Sequence, residues 1–304
     1  MPYPVNFSCA YVDYRNVLKT TIAQHFNEKS GRFKKENNSV ILSTCHRIEE
    51  YLDTDTGYHK DNFGSLNSNV KYLTESADVL ERLSRIVSGV DSWILGEKYI
   101  AQQVFNAFQK TTSDSPLSWL GNKAIEIGLR AKVGSGLIAH VDYPDIALNI
   151  IDQMLRGKIQ SILIVGGGML GRSVFEKAEI NGWDNIYVIS RNPKKMRKMG
   201  YQNALKLSQA EPVINKKFAV IIATTDMTPI YKTEIENFLE RKECRAVIDL
   251  SAASQLPRSK NYVHMYDQIF IDEVLRANKI IAPKVPDTMR LISDMVKIQM
   301  HNVL

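Results

Sequence analysis

The sequence predicts an α/β protein with an α+β first domain, a doubly wound parallel-sheet second domain and a short helical tail. Three observations carry this. Between about residues 160 and 266, the short apolar, mostly β-branched runs SILIVG, NIYVIS, FAVIIAT, AVIDL and YVHMYD alternate with helical patterns, which predicts a parallel sheet with helices on both faces. Gly166, Gly168 and Gly171 follow the first run directly and open a helical pattern. The N-terminal part instead reads strand, helix, strand, and then a long helical stretch.

Size and composition bound the possibilities. A chain of 304 residues suits about two domains. With 44% hydrophobic and 24% charged residues it can build a real core. No apolar run approaches the ~20 residues of a membrane helix, and MPYPVNFSCAYVDY lacks the basic-then-apolar order of a secretory leader. Cys9, Cys45 and Cys244 are odd in number and widely spaced, which excludes a disulfide framework and a paired metal motif. Histidines are equally scattered, so no metal site is expected. A reducing cytoplasm is the expected compartment. The net charge of +6 permits a polyanionic partner without demanding one.

From the N-terminus, NFSCAYV reads as a strand and VLKTTIAQHF as a helix with apolar residues at helical spacing. NSVILST is a second strand, and HRIEEYLD reads as its extended continuation. ADVLERLSRIVSGV, WILGEKYIAQQVFNAFQK and WLGNKAIEIGLRAK are helical, and VGSG at 133–136 ends that run. PDIALNIIDQMLRG is a helix leading into the second domain. The tail from Asp267 is helical, interrupted by PKVP at 283–286. The expected boundaries are 1–140 for a catalytic domain, 141–268 for the parallel-sheet domain and 269–304 for the helical segment.

The glycine pattern in SILIVGGGMLGRSVF is G-x-G-x-x-G in its required context, after a strand and at the head of a helix. The first glycine allows the tight turn, the second lets backbone approach a pyrophosphate, and the third lets helix pack on strand. This is the Rossmann-type fingerprint, and Gly166, Gly167, Gly168, Met169, Leu170 and Gly171 are the expected cofactor-binding residues. At the end of the next strand, where an NAD site carries Asp or Glu, this chain has Ser190 and Arg191, followed by Lys194 and Lys195. Such a cluster attracts a 2′-phosphate, so NADPH is the expected cofactor.

SVILSTCHRIEEYL places Cys45 beside His46 and Arg47. Cations lower a thiol pKa, and in continuous extended geometry Arg47 shares the face of Cys45 while His46 points away. A free cysteine is most often a small core hydrophobe, and Cys9 and Cys244, in apolar strand patterns, are read so. An acyl-accepting Cys45 joined to an NADPH domain suits reduction of a thioester to an aldehyde.

Here the sequence resembles glutamyl-tRNA reductase, the enzyme that opens tetrapyrrole synthesis from glutamate. Ser43-Thr44-Cys45-His46-Arg47 is close to the family's Ser-Thr-Cys-Asn-Arg, and SGVDSWILGE at 88–97 is close to its Ser-Gly-Leu-Asp-Ser-x-Val-Leu-Gly-Glu. Gln103, the glycine loop, VIDL and YDQIFIDEVL follow in order, so the likeness covers nearly the whole chain. It implies NADPH-dependent reduction of glutamyl-tRNA to glutamate-1-semialdehyde through a thioester on Cys45. Thr44, His46, Arg47, Ser92, Glu97, Lys98, Tyr99 and Gln103 would line the glutamate pocket, with Arg47 on the side-chain carboxylate. By themselves Ser92, Glu97 and Gln103 read as exposed polar positions on a helix. Partners implied are charged tRNA for glutamate and the aminomutase that takes the aldehyde.

The departures from the family pattern are equally specific. Arg82 stands where the family has a proton-handling histidine; an arginine cannot trade protons near pH 7 but can stabilise an oxyanion, so Arg82 joins Cys45 as a catalytic candidate. His46 and His140 are alternative proton carriers. His46 and Tyr99 replace the family's asparagine and glutamine, AYVDYRN lacks its His-Lys-Thr pattern, and Arg130 and Lys132 are the remaining tRNA-contact candidates. The family's C-terminal dimerisation domain is expected to be absent or reduced to 287–304, which leaves the oligomeric state open, a dimer included. Competing functions are a thioester reductase for another acyl carrier and a non-catalytic relative that binds NADPH or tRNA. A dehydrogenase of the sirohaem-synthesis type ranks last, because it does not explain Ser43–Arg47.

Overall fold

The computed structural model describes residues 6–29, 33, 38–53, 58–155, 161–210, 216–224, 227–254 and 256–301. The chain divides into two compact units, one of Met1–His140 with Ala277–Leu304 and one of Val141–Arg276.

In the first unit, β1 (Ser8–Asp13), α1 (Lys19–Lys29), β2 (Ser39–Thr44) and β3 (Arg47–Leu52) come first. They are followed by the short α2 (Lys60–Phe63), a 3₁₀ turn over Gly64–Asn69, and β4 (Lys71–Leu73). The strands form an antiparallel sheet in the order β2-β3-β1-β4. Side chains alternate across it. Cys9, Val40, Leu42 and Tyr51 join a core with α3 (Ser76–Ser88), α4 (Tyr99–Phe108) and α5 (Pro116–Ser135), while Ala10, Val12 and Ile48 pack on Ile22, Phe63 and Leu66. The α5 helix starts on a Ser115 cap and ends at Gly136, which takes a left-handed conformation, so the predicted break at VGSG falls at its last residue.

The second unit runs α6 (Tyr143–Leu155), β5 (Ser161–Val165), α7 (Met169–Ile180), β6 (Ile186–Ile189), α8 (Pro193–Lys198) and β7 (Ala204–Leu205). It continues with α9 (Leu207–Ala210), β8 (Phe218–Ile222), α10 (Pro229–Leu239), β9 (Cys244–Asp249) and β10 (Tyr262–His264). All six strands are parallel, in the order β10-β9-β8-β5-β6-β7. This is the doubly wound Rossmann arrangement, and its order reverses between β5 and β8. The two-residue β7 had no hydrophobic run to announce it. The last two residues of PDIALNIIDQMLRG lie outside the described residues.

The α11 helix (Gln268–Ile281) crosses the boundary of the two units, and a 3₁₀ turn over Ala282–Lys284 separates it from α12 (Val285–His301) at the predicted PKVP interruption. The α12 helix is not a free tail. It packs on α3 and α5 with Ile292 and Val296 in the core, and Thr288 shares a 2.7 Å hydrogen bond with Ser135.

Candidate functional site

The expectation of a continuous strand through Cys45 is corrected by the structure. Thr44 of β2 pairs with Arg47 of β3, so Cys45 and His46 form a two-residue hairpin turn. The backbone N–H of His46 donates to Thr44 Oγ1 at 3.2 Å, and the N–H of Tyr14 donates to the His46 carbonyl at 3.0 Å. His46 is therefore the contact neighbour of the thiol, with Nδ1 3.6 Å from Cys45 Sγ. Burial and the Glu97 carboxylate push the Cys45 thiol up to about 12, against a smaller opposing pull from Arg47. His46 lies edge-on to Trp93 and Tyr14, at 5.1 and 5.7 Å between ring centroids. Its burial, with the charges of Lys19 and Arg47, lowers it to about 3, so its imidazole is neutral at physiological pH.

Arg47 turns inward. It is 1% exposed, its Nη2 donates to the Asp91 carbonyl at 2.5 Å, and its Nη1 stands 3.5 Å from Glu49. Arg82 is equally committed. It reaches Glu49 Oε1 at 2.8 Å and Asp13 Oδ2 at 3.1 Å, with its guanidinium 3.3 Å from the centre of the Tyr11 ring. Its charge acts on Glu49, Cys9 and Tyr51, whereas the charges felt by Cys45 are those of Glu97 and Arg47. Arg15 bridges Asp13 and Asp91, and Arg85 adds a 3.0 Å pair to Asp91. Arg15 and Arg82 hold the Asp13 carboxyl far below the carboxylate range despite its burial. The network ties β1, β3, α3 and the loop after α3 together beneath the Cys45 turn. The sequence reading missed Asp13, Arg15, Glu49, Arg85 and Asp91; paired acids within the otherwise apolar RIEEYL were the available signal.

The helix predicted from Trp93 starts only at Tyr99. Gly89 and Gly96 take left-handed conformations, and a side chain on Gly96 would meet the Leu137 carbonyl at 2.5 Å, so this segment is a tight loop pressed on backbone. Ser92 and Glu97 are therefore buried loop residues, not exposed helical ones. The Glu97 carboxylate caps α4, accepting from the Tyr99 and Ile100 amides and, at 3.4 Å, from the Ser92 hydroxyl. Lys132, expected at a tRNA surface, is buried with its ammonium on the Glu97 carbonyl at 2.7 Å; Arg130 is exposed and pairs with Glu126. Lys98 is exposed beside the buried Tyr99, and Gln103, one turn further along α4, is half-buried. His140 is exposed at the unit boundary.

The structure thus gathers Thr44, Cys45, His46, Arg47, Ser92 and Glu97, with Tyr99 joined through its amide. It places Arg82 in the buried network, among groups other than the thiol.

The second unit carries the glycine loop at the carboxyl end of β5, beside the switch point. Gly166 has φ of 108°. A Cβ on Gly171 would lie 1.9 Å from the Gly166 carbonyl, so helix and strand could not close with any other residue there. Gly168 caps α7, and a Cβ built on it meets nothing within 4 Å. That opening, at amides aimed out of a helix N-terminus, suits a pyrophosphate. Met169 is exposed and Leu170 half-buried at the head of α7. An open cleft runs along Gly166, Gly167, Ile189, Ser190, Arg191, Thr224 and Tyr231. Among the described residues, no cluster of His, Cys, Asp and Glu could hold a metal ion, and no helix is long and apolar enough to cross a membrane.

Comparisons with known proteins fall on both units. The family model for "Glutamyl-tRNAGlu reductase, N-terminal domain" matches residues 4–133, and that for "Shikimate / quinate 5-dehydrogenase" matches 145–276. Protein nfe2 of Rhizobium meliloti is 28% identical over 91% of this chain and 93% of its own. Glutamyl-tRNA reductases of Thermosipho melanesiensis and Acetivibrio thermocellus are 28% and 27% identical, over 86% and 89% of this chain and 72% and 87% of theirs. The solved glutamyl-tRNA reductase of Methanopyrus kandleri shares the fold, with a TM-score of 0.51 at 17% identity over 98% of this chain and 80% of that one. This chain is thus similar to glutamyl-tRNA reductases along most of its length, with residues 4–133 matching the reductase's N-terminal domain and residues 145–276 a dehydrogenase-type domain.

Proposed function

We propose that the protein is an NADPH-dependent reductase of glutamyl-tRNA, forming glutamate-1-semialdehyde for tetrapyrrole synthesis. The observation that carries this is Cys45 at the tip of a hairpin turn, flanked by Thr44, His46, Arg47, Ser92 and Glu97 in one chain with an open glycine cradle. Cys45 sulfur attacks the acyl carbon; the C–S bond forms, the ester C–O bond breaks, and the tRNA hydroxyl leaves with the proton that the thiol gave up. A bound NADPH would supply the hydride; as the new C–H bond forms, the C–S bond would break, releasing the aldehyde and NADP+ and leaving a Cys45 thiolate that takes its proton from water. Gly166–Gly171 would hold the pyrophosphate, and Ser190 and Arg191 the 2′-phosphate, with no acid between 190 and 195 to repel it. Glu97 sets the end of α4 and so positions Tyr99 and Gln103 on the pocket wall, with Lys98 at its rim. Charged tRNA is the substrate and the aminomutase is the proposed acceptor of the aldehyde. Free thiols at Cys9, Cys45 and Cys244 support a reducing, cytoplasmic setting.

The test is NADPH oxidation with charged glutamyl-tRNA, uncharged tRNA or free glutamate, in wild type and Cys45→Ser. Turnover with charged tRNA alone, lost in the serine variant, is the expected result. A second function, a non-catalytic relative that binds NADPH or tRNA, is favoured by two observations. Arg82 replaces the histidine and is locked into ion pairs, and the Cys45 thiol is held protonated. That reading gains if folded, NADPH-binding protein shows no turnover.

A further inference from the structure

The reductase reading requires a cation for the carboxylate of the glutamyl group close to Cys45. The arginines below the turn are engaged: Arg47 with Asp91 and Glu49, Arg82 with Asp13 and Glu49, Arg15 with Asp13 and Asp91, and Arg85 with Asp91. Lys132 is buried on the Glu97 carbonyl.

Lys19 differs from all of these. It opens α1, whose first turn holds no acid, and it is half-buried. Among the described residues it makes no ion pair. Its ammonium instead stands 3.8 Å from the centre of the Trp93 ring and 5.5 Å from that of Tyr14. Those two rings are the ones that clasp His46, which touches the Cys45 sulfur. An ammonium over an aromatic face keeps most of its donors free, and a cation at the positive end of a helix is relieved by an arriving anion.

We propose that Lys19 is the cation that receives the carboxylate of the acyl group delivered to Cys45. The assignment rests on Cys45 as acyl acceptor. It makes Arg47 a positioning residue, which fixes the Asp91–Ser92 loop, and it makes Lys19 the selector of an acidic acyl group. Burial brings the Lys19 ammonium down to about 8, so an arriving carboxylate also restores its full charge.

The test needs neither tRNA nor NADPH. Full-length wild type, Lys19→Met and Lys19→Arg are alkylated at pH 7.5 with iodoacetate and, separately, iodoacetamide, and labelling is read cysteine by cysteine by peptide mass spectrometry. Glu97 repels any anion at Cys45, so the quantity read is the change in the iodoacetate-to-iodoacetamide rate ratio. Loss of one positive charge near Cys45, in a partly wet site, predicts a fall of roughly five- to ten-fold in Lys19→Met, with the ratio kept in Lys19→Arg. N-acetylcysteine in the same solution is the control, and its ratio should not change. An equal ratio in wild type and Lys19→Met, or a ratio lost in Lys19→Arg as well, overturns the assignment. Neither result bears on the reductase reading, which falls only on absent turnover with charged tRNA.

Discussion

The Cys45 turn and the glycine loop are two sites built on opposite principles. The glycine loop is made of backbone: four positions without side chains, a helix N-terminus, and residues within one β-α-β unit. The Cys45 turn is made of side chains drawn from β1, β3, α3 and the loop before α4, linked by ion pairs as far apart as Arg15 and Asp91. The comparison teaches that a phosphate cradle asks the sequence for absence, and a buried reactive turn asks it for compensation. Asp13, Glu49 and Asp91 are tolerable there because arginines, several of them distant in sequence, meet them.

The largest expected effect breaks that compensation. Arg82→Met leaves Glu49 and Asp13 without their shared guanidinium, and removing one partner of a buried pair costs about 3–5 kcal/mol. Urea unfolding followed by circular dichroism measures it. A loss below about 1 kcal/mol would mean that the network is dispensable and the contrast with the glycine loop is wrong.

The second prediction concerns protons. His46 titrates near 3 in the folded chain and near 6.5 when unfolded. The unfolded state therefore binds more protons between those values, so the stability present above pH 6.5 is lost as pH falls toward 3. Between pH 6.5 and 5 the expected loss is roughly 2 kcal/mol. His46→Asn should flatten that part of the stability-versus-pH curve, read from urea midpoints; an unchanged slope contradicts the burial of the imidazole.

Two smaller effects sharpen the other half of the comparison. Gly168→Ala meets no atom within 4 Å, so folding stability should change by less than about 1 kcal/mol. The added methyl would occupy the pyrophosphate's space and weaken NADPH binding about tenfold. Equal NADPH affinity in both proteins, by fluorescence titration, would place the phosphates elsewhere. Arg191→Ala should weaken NADPH roughly fivefold and change NADH binding far less, because Arg191 lies exposed on the cleft beside Ser190, where it would meet the extra phosphate. Parallel losses for both cofactors would refute that role.

Much of this was legible in the chain. SILIVG followed by G-x-G-x-x-G fixed β5, its turn and the head of α7, since strand alternation, tight turning and helix capping are each decided within a few residues. The parallel order of the sheet followed from its alternation with helices. Two local signals misled. RIEEYL continued the strand pattern so well that the turn at Cys45–His46 passed unseen, because neither residue is a turn former. LGEKY had helical spacing, yet Gly89 and Gly96 in left-handed conformations hold it as a loop against the Leu137 carbonyl.

By itself, then, the sequence determined the fold class and the glycine loop, because backbone conformation and amphipathic period are properties of neighbours along the chain. Only the tertiary structure decided what each cation does. Arg47 and Arg82 bear the expected charges in the expected places, yet packing sets them against Glu49, Asp13 and Asp91 and leaves Lys19 over Trp93, the ring against which His46 packs. A charge is written in one residue, but its availability depends on whichever residues folding brings within a few ångströms of it.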